Sequence, residues 1–362
     1  MTKFRWAKIA RPKVVRHIVV LAMLAAPAAM AARSTLDIYF IDVEGGQSTL
    51  IVTPAGETLL VDTGFPGDGT FASIPGDPKL ARDANRILTA AHAAGVTRID
   101  NVLITHFHAD HDGGIVELSQ LMPVRTFIDH ESPDPRAEAG VPGTMAAFER
   151  YAAVRAKGRR LAPKPGERIP LKGVEVTVVS SARATLQQPL PGAGAANPAC
   201  APAASEAQEK IENPGSTGVL LRFGRFRFLD VGDLSGAPLF NLVCPKNLIG
   251  TADVYLVAHH GGVDAADPAT LSAIAPRVAI VNNGAAKGGA PELLAALHKA
   301  PGLEDAWQLH RSSASGAQNF ANDRIANIDE SGAHWIKVSA KADGSFSVTN
   351  GRTGATTDYP RR

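Results

Sequence analysis

The sequence predicts an α/β protein layered as an αβ/βα four-layer sandwich, and three observations carry that expectation. Short apolar runs bounded by Gly, Asn or Asp alternate with segments of helical spacing. The pattern passes twice through a β-rich half. Residues able to do chemistry sit where the apolar runs stop: Asp62, His106, His130, Asp233, His259, His260, Asn282 and Asn283. Strand, polar residue, then helix, repeated through two halves, is what a layered sandwich with its site along one sheet edge produces.

The elements follow in order. Residues 36–41, Thr49–Val52 and residues 58–62 read as an antiparallel β start, with Glu44-Gly45-Gly46 as the first turn. Residues 65–78 are a Gly/Pro-rich loop, and residues 80–94 have helical spacing closed by Gly95. An apolar strand at 99–105 runs into a His-rich segment, and a short helix from Gly113-Gly114 through Leu121 and a strand at Val124–Ile128 come next. A helix at 145–156 and strands near 167–169 and 174–179 precede an Ala/Pro/Gly-dominated stretch, 185–214, that reads as an exposed loop or insertion. Strands at 219–223, 227–231, 254–258 and Val278–Val281 alternate with helices at Pro268–Ile274 and 291–298, and strands at 335–339 and 345–349 form a hairpin around Asp343-Gly344.

Residues 1–31 read as a signal peptide. Lys3, Arg5, Lys8, Arg11, Lys13 and Arg16 precede an apolar stretch at 18–26, and Ala29-Met30-Ala31 offers a small-x-small cleavage pattern. The apolar run contains Pro27 and falls short of the roughly 20 residues that a membrane span needs. A mature chain of residues 32–362 is therefore expected in the periplasm or secreted, with no membrane attachment after cleavage. The full chain holds 37 Lys and Arg against 35 Asp and Glu, but six of the bases and none of the acids lie in residues 1–31. The mature chain is thus net acidic, which argues against a stable grip on nucleic acid phosphates. Two cysteines, Cys200 and Cys244, lie outside any CxxC pattern; the sequence leaves open whether they pair.

The densest chemical signal is Thr105-His106-Phe107-His108-Ala109-Asp110-His111. On a loop leaving a buried strand, His106 and His108 point to one side and can share one ion, while Asp110 and His111 can turn toward a second. Imidazole with carboxylate suits zinc, and manganese or iron less often. One or two ions are expected.

This His-x-His-x-Asp-His segment resembles the hallmark of the metallo-β-lactamase superfamily. The resemblance implies the metallo-β-lactamase fold over most of the mature chain, with Asp233 as a carboxylate bridging two ions and His259-His260-Gly261 as the late metal-binding motif. Asp62, in Asp62-Thr63-Gly64, is similar to the early Asp that orients the metal loop, and it also suits a turn-capping role. Neighbours at a strand end face opposite ways, so one of His259 and His260 binds the ion and the other supports it or contacts substrate; His259 is the favoured ligand. Many members carry a further His shortly before the bridging Asp, whereas between Asp112 and Gly232 this chain has a single histidine, His130. His130 lies too early in the chain for that role and is a pocket-lining candidate; Asn213 lies nearer the expected place but an amide is a weak ligand. Asn282 and Asn283 either bind substrate oxygens or shape a turn. Lys287 is a candidate contact for an anionic group, and His310 a weaker pocket candidate.

Within the superfamily, the segments at 42–48, 213–216, 259–262 and 276–284 resemble the soluble domain of ComEC-type competence proteins and their exported stand-alone relatives. That likeness implies an exported hydrolase using metal-bound hydroxide on phosphodiesters or other phosphoesters, with Asp110 and Asp233 as catalytic residues and a small-molecule or phosphodiester substrate. Two alternatives stay open: an acyl hydrolase (lactonase, thioesterase or β-lactamase-like), and a metal-binding protein without turnover.

Overall fold

The computed structural model of the protein describes residues 1–3, 34–67, 77–200, 212–329 and 332–362. The signal-peptide reading falls, beyond the first three residues, outside the described residues. The strands are β1 (Leu36–Phe40), β2 (Thr49–Val52), β3 (Thr58–Val61), β4 (Ile99–Leu103), β5 (Val124–Ile128), β6 (Arg159–Leu161), β7 (Arg168–Ile169), β8 (Glu175–Ser181), β9 (Ala184–Thr185), β10 (Gly218–Phe223), β11 (Phe226–Asp230), β12 (Val254–Leu256), β13 (Val278–Val281), β14 (Asp305–His310), β15 (Ile325–Asn327), β16 (Ile336–Ala340), β17 (Phe346–Asn350) and β18 (Thr356–Tyr359). The α-helices are α1 (Arg82–Ala93), α2 (Ala109–Asp112), α3 (Ile115–Leu121), α4 (Ala137–Gly140), α5 (Thr144–Arg155), α6 (Gly236–Val243), α7 (Pro268–Ile274) and α8 (Pro291–Leu297).

The strands form two nine-stranded sheets. One has the order β18-β17-β16-β1-β2-β3-β4-β5-β6, the other β15-β14-β13-β12-β11-β10-β8-β7 with β9 beside β8. The start is antiparallel, as expected, from β1 through β3. From β3 to β6, and again from β11 to β15, neighbours are parallel. Parallel pairs need a crossover, and the helices supply most of them: α1, α3 and α5 in the first half, α6, α7 and α8 in the second.

Alternation along each strand sorts its side chains between two cores. Leu36, Ile38 and Phe40 of β1 face the second sheet, where the Phe40 ring meets that of Phe228 edge-on at 5.7 Å. Tyr39 and Ile41 turn the other way, toward Ala84, Ile87 and Ala91 of α1 and Ile115 and Leu118 of α3. In the second sheet Leu229 faces Leu239 and Leu242 of α6, Leu271 and Ile274 of α7, and Leu293 and Leu297 of α8. Helices, sheet, sheet, helices is the predicted four-layer order. Local chemistry fixes the helix ends: the Asp267 carboxylate accepts from the backbone N–H groups of Ala269 and Thr270, with Pro268 in the first turn of α7. Gly95, at φ +68°, closes the end of α1 with its N–H on the His92 carbonyl.

Residues 201–211 of the stretch 185–214 lie outside the described residues; 187–200 run as a largely exposed loop, with buried anchor points at Asn197 and at residues 213–215. Asn197 is buried, its amide donating to the Val243 and Ala269 carbonyls at 3.1 and 2.9 Å, and Asn213–Gly215 form a buried 3-10 turn. The cysteine question is resolved by pairing, since Cys200 is bonded to Cys244 with Cα atoms 5.8 Å apart. Strands β6, β9, β14, β15 and β18 and helix α6 carry too short or too mixed a pattern to read in the sequence; β14 buries Gln308 and His310 beside Trp307 and Leu309. Among the described residues no helix is long and apolar enough to cross a membrane.

The bond joins residues 44 apart. Breaking it, by Cys244→Ala or by reductant, is expected to lower the unfolding free energy by up to about 4 kcal/mol, the chain-entropy figure for a loop of that size. Denaturant titration of oxidised and reduced protein checks this.

Candidate metal centre

The C-terminal ends of parallel strands in both sheets meet at one edge, the place where α/β sheets bind ligands. β3 delivers Asp62, β4 the His-rich loop, β5 His130, β11 Asp233, β12 the His259-His260 pair, β13 Asn282 and Asn283, and β14 His310.

Asp62 organises the His-rich loop. Its Oδ1 accepts from the Thr105 backbone N–H at 2.8 Å, and its Oδ2 accepts from Thr105 Oγ1 at 2.7 Å and lies 2.7 Å from His111 Nδ1. One carboxylate therefore ties both ends of the segment, from a left-handed backbone conformation (φ +60°) that Asp tolerates better than most residues. An acceptor at Nδ1 puts the His111 proton there and turns the Nε2 lone pair toward the centre. Thr105 Oγ1, its own hydrogen committed to Asp62, lies 3.1 Å from His106 Nδ1 and orients that ring in the same way.

The lone pairs converge. His111 Nε2 lies 3.2 Å from His260 Nε2, 3.3 Å from Asp233 Oδ2 and 3.5 Å from Asp110 Oδ2. His260 Nε2 lies 3.2 Å from Asp110 Oδ2 and 3.3 Å from Asp233 Oδ2. Ligand atoms of these four residues all lie within 4.8 Å of one another. Beside them, His106 Nε2 approaches His108 Nδ1 to 3.0 Å and Asp233 Oδ2 to 3.8 Å. Burial works to raise the carboxyls, but Lys287 and His111 hold Asp110, and His111 and His260 hold Asp233, well below the usual range. Burial also works to lower His111, yet Asp233, Asp110 and Asp62 outweigh it and hold that imidazole well above its usual value. Burial with the neighbouring imidazoles pushes His106 well down, and burial lowers His108. Asp233 Oδ1, His108 Nε2 and His260 Nδ1 are buried and have no hydrogen-bond partner among the described residues. Carboxylates and imidazole nitrogens crowded in this way fit a divalent ion, which neutralises the acids and takes up the opposed lone pairs.

The expectation that His259 and His260 face opposite ways is corrected by the backbone. β12 stops at Leu256, and both histidines adopt left-handed conformations, φ +52° and +53°, in a 3-10 turn. Strand alternation does not apply there, and it is His260 that joins Asp110, His111 and Asp233. His259 lies 3.8 Å from Asp233 Oδ2 through Nε2.

The supporting candidates sort differently. His130 is buried 2.9 Å from the Glu212 carboxylate and 4.6 Å, ring to ring, from Phe107. Asn213 sets its Nδ2 3.2 Å from His259 Nε2. Asn282 donates to Gln47 Oε1 at 3.4 Å. Asn283 is fully buried and spends its amide N–H groups on the Gly284 and His310 carbonyls. His310 pairs with Asp42 at 2.7 Å, and Arg86 bonds Asp42 and Glu44 at 2.8 and 3.0 Å, so a cation already fills this second acidic cluster. Lys287 contacts Asp110 and lies 5.2 Å from the Phe65 ring centroid.

Sequence reasoning passed over four acids. Asp264 accepts from His259 Nδ1 at 2.8 Å, Glu212 faces His130, and Asp230 accepts from Gln47 Nε2 at 3.1 Å. Asp112, next to the motif, is buried with no hydrogen-bond partner for either oxygen among the described residues, and burial pushes its carboxyl well up. Asp112 adjoins His111 and Asp264 lies five residues past His259, so both gave a local signal; the Glu212 and Asp230 pairings join distant segments.

The model of the metallo-beta-lactamase superfamily matches residues 41–185. The atrochrysone carboxyl ACP thioesterase of Passalora fulva is 35% identical over 78 residues, which are 22% of this chain and 19% of that protein. The chain thus matches about a fifth of the length of that curated relative. Among solved structures, the metallo-beta-lactamase fold protein YhfI from Bacillus subtilis is 11% identical with a TM-score of 0.45, over 76% of this chain and 96% of its own. A metallo-beta-lactamase from Cronobacter sakazakii is 18% identical with a TM-score of 0.32, over 54% and 60%. The family-model match over residues 41–185, with two sheets layered between helices, gives the chain the metallo-β-lactamase fold.

Two outcomes test the centre. Asp62→Ala releases Thr105 and His111, and is expected to weaken divalent-ion binding about 10–100-fold, as loss of an outer-shell partner does; competition against a chelating dye measures it. Asp230 is pushed up to about 7 by burial, against the opposing Gly232 N–H. The folded state therefore holds that proton more tightly than the unfolded chain. This stabilisation is complete below 3.8 and is lost as pH rises toward about 7. In metal-free protein, Asp230→Asn is expected to flatten that fall in melting temperature; an unchanged slope contradicts it.

Proposed function

We propose that the chain is a metal-dependent hydrolase of phosphoesters, with small phosphodiesters the favoured class. The convergence of Asp110, His111, Asp233 and His260 carries the reading. A bound divalent ion would acidify a coordinated water and polarise the substrate oxygen. Asp110, His111, Asp233 and His260 would hold one such ion, with His106 and His108 beside Asp233 for a second.

The remaining residues have separable tasks. Asp62 keeps the His111 proton on Nδ1, Thr105 does the same for His106, and Gln47 bridges the two halves through Asp230. His106, His111 and His260 are all but sealed from solvent, whereas the Asp110 side chain is 13%, that of His259 32% and that of Lys287 44% exposed. Substrate therefore approaches over Asp110, between Lys287 and His259. The Lys287 ammonium at that rim favours an anionic substrate. The resemblance to ComEC-type domains supports phosphodiesters, and the acidic mature chain supports a small substrate over a long polyanion. Export, with cleavage near residue 31, also belongs to this reading; the Cys200–Cys244 bond suits an oxidising compartment.

The acyl-hydrolase alternative has one specific observation in its favour, the short match to a thioesterase. A panel of bis-p-nitrophenyl phosphate, a lactone, an acyl thioester and nitrocefin separates the two. The expected result is diester turnover that chelation removes and a divalent ion restores, with Asp110→Ala lowering kcat/KM by more than the roughly 100-fold typical of an outer-shell loss. Thioester or lactone turnover with inert diester reverses the ranking. Metal uptake with no turnover of any substrate favours a binding protein.

A further inference from the structure

Four imidazole nitrogens approach Asp233 Oδ2 in two matched pairs. His111 and His260 present Nε2 at 3.3 Å each, and His106 and His259 present Nε2 at 3.8 Å each. The first pair shares its space with Asp110. In the second, His106 has His108 Nδ1 3.0 Å away.

His259 is prepared as a ligand in the same way as the motif histidines. Its Nδ1 faces the Asp264 carboxylate at 2.8 Å, as His111 Nδ1 faces Asp62 and His106 Nδ1 faces Thr105 Oγ1. A carboxylate at Nδ1 fixes the proton there and leaves Nε2 with its lone pair, the arrangement that orients metal-binding imidazoles. The atom meeting that lone pair is Asn213 Nδ2 at 3.2 Å, and Asn213 Oδ1 is buried with no hydrogen-bond partner among the described residues.

The backbone is bent to present both rings at once. Left-handed conformations are unfavourable for residues with a Cβ, and the chain adopts them at His259 and His260 and again at Gly261. The last must be Gly, since a Cβ would come 2.5 Å from Leu293. Hydrogen bonds from Gly289 N to the His260 carbonyl and from Ala290 N to the Gly261 carbonyl hold the turn. An extended segment would send one of the two rings away from Asp233.

Resting on the metal-centre reading above, we infer that His259 is a metal ligand in its own right, completing a first-ion site with His106, His108 and Asp233, while His260 serves the second ion with Asp110, His111 and Asp233. The adjacent pair is thereby divided between two ions, and His259 supplies the imidazole that the sequence lacks shortly before Asp233. Asp264 is its positioning residue.

The test is metal content of the full chain, stripped and reloaded with zinc for elemental analysis or with cobalt(II) for its visible spectrum. The wild type is expected to hold two ions per chain, His259→Ala and His260→Ala one each, with different cobalt spectra. Asp264→Asn should keep both ions while weakening one about 10–100-fold, and it decides the matter if His259→Ala does not fold. Two ions and an unaltered cobalt spectrum in His259→Ala, or unweakened binding in Asp264→Asn, overturn the inference. A wild type that turns over substrate with a single ion, retained in His259→Ala, overturns it while leaving the hydrolase reading intact. A folded wild type that binds no ion overturns both.

Discussion

Everything at the centre depends on the Asp62 carboxylate. The motif loop carries three imidazoles and two carboxylates within seven residues, and such a loop has many ways to arrange them. Asp62 removes that freedom by binding the loop where it leaves β4, at Thr105, and where it enters helix, at His111. The same bonds set the tautomers. Without a buried acceptor behind it, each ring could turn its N–H inward, where a donor is useless to a cation.

The second constraint is that two halves of the chain must meet at this point. Thr217 N donates to the Thr105 carbonyl at 2.8 Å, Gln47 reaches Asp230, and His310 reaches Asp42. Gly232 is pressed against Thr105 so closely that a Cβ would lie 2.8 Å from it, and its φ of +56° admits Asp233 to the site. These are polar contacts between sheet ends, buried between the layers rather than spread over a surface. They set the position of Asp233 against the motif, on which the metal geometry rests.

What could be read from the sequence was what is local. Strand alternation, the Gly95 helix stop, the Pro268 helix start and the clustered histidines each declare themselves within a few residues, and the four-layer order follows from them. The pairings that finish the site are not local: Gln47 with Asp230 spans 183 residues, and His310 with Asp42 spans 268. No periodicity announces them. The histidine pair misled for a different reason, because strand alternation was applied to residues whose left-handed backbone no longer follows it. Asp264, five residues past His259, was within reach of a local argument, but only once that turn was known.

One feature of the sheet order bears on how such a molecule comes together. β1 lies inside its sheet, with β2 on one flank and β16 on the other, and the β1–β16 register joins Leu36 to Ala340 and Phe40 to Ile336. β1, the first strand among the described residues, is therefore completed by β16, one of the last. Until the final segment emerges, Leu36, Ile38 and Phe40 stand beside an open row of backbone donors and acceptors, the kind of edge that invites strand addition from other chains. Closure waits on a pairing between Leu36 and Ala340 and between Phe40 and Ile336, a non-local contact of the kind that slows folding. A nascent chain cannot complete its first sheet until β16 is made, and the interval before β16 arrives is when that edge is most exposed to aggregation.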